Sequence, residues 1–228
     1  MNKGSLIGTY IFGSVGRGQQ DERSDLDVLA IIKNGSGKVS DDVVAATIPT
    51  HLRSLKLSIS WYGGDRMKKM FSNGELFAWH LYRETIPILD PESFLERLGK
   101  PSDYKECTAD ILSFRKVMKG IPLQVRLNEN NAVYEAGLLY VCVRNIAMSA
   151  SWKLCENPDF SRYSPFNLKG IAPCPMSVEE YEITMACRLA GQRGLVPPKG
   201  VGRSFVTGLF DKLECWMDEI ERRTTIRS

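Results

Sequence analysis

The chain has 228 residues and carries 30 Lys and Arg against 27 Asp and Glu, a formal charge of +3. With 43% hydrophobic and 25% charged residues it has ordinary globular usage, which excludes a disordered or fibrous chain. The length allows one large or two small domains, each able to bury a core. So small a charge gives no electrostatic footprint for a nucleic-acid binder, which disfavours a template polymerase.

Residues 1–100 alternate short β-like runs with glycine and polar turns. Thr9–Phe12 predicts a strand ended by Gly13, and Asp25–Ile32 a longer one ended by Asn34-Gly35-Ser36-Gly37. Leu55–Tyr62 alternates strictly and meets Gly63-Gly64, and Ile86–Leu89 is a last short run. Between them Ser14–Gly18, Asp41–Arg53 and Asp65–Tyr82 predict helices, so the first part reads as an α+β domain with a mixed sheet.

Residues 101–228 carry almost no strand signal. Asp103–Lys119 predicts a helix closed by Gly120 and Pro122. Asn130–Cys155 is apolar on most of its faces, the mark of a central helix. Ser177–Arg193 opens with Ser177 and has Glu180 three residues on, the capping-box spacing. Ser204–Arg223 is the last, and a four- or five-helix bundle is expected. The expected domains are therefore 1–100 and 101–228.

The six cysteines, Cys107, Cys142, Cys155, Cys174, Cys187 and Cys215, form no C-x-x-C pair, and with only His51 and His80 to help they argue against zinc. Reduced thiols are expected. The amino terminus is broken too early by glycine for a signal peptide, and the longest apolar run, Ala136–Val143, is far short of a membrane span. A cytoplasmic protein without a membrane partner is the expectation.

The chemistry concentrates in Phe12–Ile32, FGSVGRGQQDERSDLDVLAII. Gly13-Ser14 follows a strand and opens a helix, where backbone N–H groups and the positive end of the dipole suit a phosphate. Eleven residues after Ser14 comes Asp25, then Asp27. Residues i and i+2 of a strand point to one side, so the two carboxylates project together. Such a pair repels unless a cation lies between them, and magnesium, which accepts one or two carboxylates plus phosphate and water, is the suitable ion. A phosphate-holding bend beside a carboxylate pair is what nucleoside triphosphate chemistry demands. The competing phosphate motifs G-x-G-x-x-G and G-x-x-x-x-G-K-[ST] are not matched.

FGSVGRG followed by SDLDVLAII resembles the signature of the nucleotidyltransferase superfamily, which includes DNA polymerase beta and kanamycin nucleotidyltransferase. The resemblance is closest over Phe12–Ile32 and weaker to about residue 90. It implies that Gly13 and Ser14 hold a triphosphate donor, that Asp25 and Asp27 hold Mg2+, and that Arg17 and Ser24 support the turn as further nucleotide-binding residues. It also implies a third carboxylate on a neighbouring strand. The polar side of Leu55–Tyr62 is instead Lys56, Ser58 and Ser60. Glu135 from the helical half is the first candidate to serve as base; Asp65, Glu75 and Glu84 come second. Lys56 and Lys68 read as solvated, and His80 as a satisfied, partly buried histidine.

Arg144-Asn145 stands in the most apolar helix, so Arg144 needs a partner: an internal acid such as Glu135, or a ligand. A nucleotidyltransferase module followed by helices is similar to antibiotic nucleotidyltransferases and to proteins with a HEPN-type helical domain; no histidine follows Arg144, which argues against HEPN ribonuclease chemistry. The expected activity is transfer of a nucleoside monophosphate, AMP from ATP first, to a hydroxyl or amine of a small-molecule or protein acceptor with pyrophosphate release. The rival expectation is a catalytically weak, nucleotide-binding regulatory or antitoxin-like module. A homodimer is left open.

Overall fold

The computed structural model describes residues 5–21, 24–37 and 39–225. The chain divides into two compact units, Met1–Lys105 and Glu106–Ser228.

The first unit is built on a four-stranded mixed sheet in the order β3-β2-β1-β4. Its strands are β1 (Leu6–Phe12), β2 (Leu26–Ile32), β3 (Leu57–Gly63) and β4 (Ile86–Leu89). β1 runs antiparallel to β2 and β4, and β2 runs parallel to β3. The parallel pair requires a crossover, which is supplied by α2 (Asp41–Ala45) and a 3-10 turn at Thr50–Leu52. Alternation then sorts the side chains. Tyr10, Phe12, Leu29 and Ile31 pack on one face with Met67, Met70 and Phe71 of α3 (Gly64–Asn73). Ala78 and Leu81 of α4 (Leu76–Glu84) and Phe94 and Leu95 of α5 (Phe94–Leu98) join the same cluster. Ile11, Leu26, Val28 and Ala30 face the other side against Val44 and Ile48.

Three predicted helices come out differently. Gly13–Gly16 forms α1, a single turn that begins one residue earlier than expected. The helix predicted over Asp41–Arg53 stops at Ala45, and Pro49 separates it from the 3-10 turn. Asp65–Tyr82 is two helices, because Gly74 adopts a left-handed conformation (φ 65°) and closes α3. A Cβ at Gly74 would lie 2.3 Å from the Ser102 carbonyl oxygen, so no other residue fits that corner.

The second unit is all-helical. It consists of α6 (Cys107–Leu127), α7 (Ala132–Leu154), α8 (Val178–Arg193) and α9 (Arg203–Thr225), with a 3-10 turn at Ser164–Phe166. α6 runs straight through Gly120 and Pro122, where sequence predicted its end. Burial of Met118, Ile121, Pro122 and Val125 outweighs the lost backbone bond, as tertiary packing often does to propensity. The Ser177–Glu180 capping box forms in full. All six cysteines are free thiols, with Cys107, Cys142 and Cys187 buried. Among the described residues no helix is long and apolar enough to cross a membrane.

Candidate active site

The segment between β1 and β2 holds the candidate residues that the sequence singles out, and local structure explains why it folds as it does. β1 ends at Phe12, whose Cα partner on β2 is Asp27. The chain then turns through Gly13, whose φ of 72° lies in the left-handed region. A Cβ placed on Gly13 would stand 2.7 Å from Asp27 Oδ2. Glycine is therefore required twice at this point, by conformation and by space. α1 follows with Ser14 in its first turn, and Gln19 N–H donates to the Ser14 carbonyl at 2.8 Å.

β2 begins at Leu26, one residue later than expected, so Asp25 stands at its threshold and Asp27 lies within it. Burial alternates along this stretch: Ser24, Leu26 and Val28 are buried, while Asp25 and Asp27 are half-buried. Ser24 closes a short turn. Its hydroxyl accepts from Asp21 N–H at 3.0 Å and donates to Asp21 Oδ1 at 2.8 Å.

The parallel pairing fixes what stands next to Asp27 on β3, namely Ser58, with Ser60 beside Leu29. Lys56 offers its carbonyl to Leu26 N–H at 2.9 Å. Among the described residues no group of three or more His, Cys, Asp or Glu could hold a metal.

The second-rank acids are committed elsewhere. Glu84 Oε2 accepts from Arg17 Nη1 at 2.6 Å and lies 2.7 Å from His80 Nε2, and all three side chains are largely buried. Glu75 takes two 2.6 Å hydrogen bonds from Arg66, which hold its carboxyl below the ordinary range. Asp65 is exposed and pairs with Lys68 at 3.4 Å. Arg17, expected in the phosphate turn, directs its guanidinium to Glu84 and to Gln19, the latter at 3.0 Å. His80 is 8% exposed, as expected of a satisfied histidine.

In the helical unit Glu135 is 4% exposed, and its Oε2 has no hydrogen-bond partner. Burial pushes its carboxyl above the usual value. Burial raises the Cys142 thiol to about 12, and Glu135 two turns back on α7 adds to the rise. Arg144 is not paired with Glu135: its Nη2 donates to the Phe160 carbonyl at 3.1 Å, a loop partner that sequence could not supply. Asn145 bonds back to the Val141 carbonyl at 2.7 Å on its own helix. Sequence reasoning also missed the Arg17–Glu84–His80 cluster. The i,i+4 spacing of His80 and Glu84 was its one local signal.

The fold is an α+β unit with a mixed sheet followed by an all-α unit, the class expected. No family model matches the chain, and no curated protein sequence matches it. Among solved structures it is similar to spectinomycin adenyltransferase AAD(9) from Enterococcus faecialis, solved with ATP and spectinomycin. The two share 13% identity over 93% of each chain, with a TM-score of 0.40.

Proposed function

We propose that the chain is a magnesium-dependent nucleotidyltransferase. It moves a nucleoside monophosphate, AMP from ATP foremost, onto a hydroxyl or amine of a small-molecule or protein acceptor and releases pyrophosphate. The observation that carries this reading is the contact between Gly13 and Asp27. A bend that tolerates only glycine lies directly against a carboxylate, so a phosphate on the bend and a cation on the carboxylate would be neighbours.

In this reading Gly13 and Ser14 hold phosphate oxygens, with Arg17 and Ser24 shaping the turn around them. Asp25 and Asp27 would hold magnesium, which when bound neutralises phosphate charge and aligns the attacking and leaving oxygens. The acceptor oxygen or nitrogen bonds to the α-phosphorus, and the bond from that phosphorus to the bridging oxygen breaks. Pyrophosphate departs with the electron pair. Glu135 is the group proposed to take the acceptor's proton, since the strand beside Asp27 offers Ser58 and no acid.

One observation favours a second reading, a nucleotide-binding module with weak turnover. Ser58, not an acid, stands beside Asp27. Incubation with labelled ATP, GTP, CTP and UTP plus magnesium, with and without candidate acceptors, separates the two. Pyrophosphate release that Asp25→Asn abolishes supports the enzyme. Tight nucleotide binding with no release under any acceptor supports the module, and no binding of any of the four defeats both.

A further inference from the structure

The Gly13–Gly18 bend holds three glycines in six residues, a composition that gives the backbone wide freedom. Yet it must keep a fixed distance from Asp27 if phosphate and cation are to meet. Its own backbone bonds, Arg17 N–H to Gly13 O and Gly18 N–H to Val15 O, both 3.0 Å, close the turn without attaching it to anything else.

The attachment comes from residue 84. The Glu84 backbone carbonyl covers Gly16 so closely that a Cβ there would sit 2.5 Å from its oxygen. The Glu84 carboxylate takes the Arg17 guanidinium at 2.6 Å, with the two side chains 9% and 17% exposed. The same oxygen, Oε2, lies 2.7 Å from His80 Nε2, one helical turn back on α4. The His80 ring packs edge-on against Phe12, with centroids 5.7 Å apart, and against Phe77 at 5.9 Å. Phe12 is the residue directly before Gly13 and the partner of Asp27. Contacts therefore run in a closed ring from Phe12 through the bend to Arg17, Glu84 and His80, and back to Phe12. The bend cannot shift without breaking a charge-assisted hydrogen bond in a mostly buried setting or a ring contact.

We infer that Arg17, Glu84 and His80 are positioning residues, a clamp that sets the phosphate bend against Asp27, with Arg17 acting through Glu84 and not by touching the nucleotide. The inference rests on the nucleotidyltransferase reading for the ligand, but the clamp itself can be measured without one.

Amide hydrogen exchange across Gly13–Gln19 tests it on the full chain. Exchange should quicken about tenfold in Arg17→Met and in Glu84→Gln, and part of the loss should return in Arg17→Lys. Glu92→Gln, which cuts the exposed Arg97–Glu92 pair, should leave the bend unchanged. The affinity for MgATP should fall in the same two variants, and the double variant should be no worse than either single one, because both break one link. Unchanged exchange in folded Glu84→Gln overturns the clamp. So does weakened MgATP binding in Arg17→Met but not in Glu84→Gln, which would place Arg17 on the nucleotide. Should Glu84→Gln fail to fold, His80→Gln, which removes the link to Phe12, replaces it with the same expectation. Wild-type protein that binds no nucleotide defeats the proposed function, while the exchange comparison still decides the clamp.

Discussion

Ser58 of β3 is the Cα partner of Asp27 of β2 across the parallel pair, so a hydroxyl stands next to the carboxylate at the centre of the candidate site. An acid at this position would share a cation with Asp27 by register alone. Ser58→Asp is therefore expected to tighten magnesium binding about tenfold, the size of effect that single groups around a metal site exert. Manganese titration followed by electron paramagnetic resonance checks this. Equal affinity in wild type and variant would mean that Asp27 does not face a cation.

Gly13→Ala should damage both fold and site. An L-residue at φ 72° costs about 1–2 kcal/mol. The added methyl also meets Asp27 Oδ2 at 2.7 Å. A drop of several degrees in melting temperature, together with loss of nucleotide binding, is expected. A variant as stable as wild type would show that the bend relaxes freely.

Glu135 links stability to pH. Burial lifts its carboxyl above the ordinary 4.5, so in the window above that value the native chain keeps a proton that the unfolded chain has released. Its contribution to stability therefore falls as pH rises from the unfolded value to the folded one, and stays constant above. Glu135→Gln removes this dependence. Urea midpoints should show the variant gaining on wild type as pH rises above the ordinary 4.5. A difference that does not change with pH would contradict the burial. If Glu135 is also the base, the same variant loses nucleotidyl transfer while it keeps nucleotide affinity.

Gly137→Ala reverses a general rule. Alanine within a helix ordinarily stabilises by about 1 kcal/mol over glycine. Here the new Cβ would lie 2.9 Å from the Arg188 Cα and backbone nitrogen, where α7 and α8 pass backbone to backbone. Crowding of this kind costs about 1–3 kcal/mol, so net destabilisation is expected in a urea melt. A more stable variant would show that the two helices separate easily.

Much of the local structure was legible from residue order. The Gly13-Ser14 bend after a strand, the Ser177–Glu180 cap and the continuous apolar faces of α7 are short-range patterns, and the structure forms each of them. What stayed hidden depends on distant neighbours. Gly74 breaks a helix because Ser102 and Asp103 crowd it, and Pro122 fails to break one because its surroundings are buried. The partner of Arg144 is a loop carbonyl sixteen residues away, and Glu84 meets Arg17 across sixty-seven. Hydrophobic period reports which side of an element faces inward; it does not report which side chain waits there.

β2 has a hydrogen-bonded strand on each side, and Asp27 is therefore expected to sit on backbone that is among the slowest of the first unit to open. Asp25 stands just before the strand starts, ahead of the first Cα-paired residue, Leu26. Heating or mild denaturant should loosen one carboxylate well before the other, so a divalent ion that needs both would be shed while the sheet is still intact.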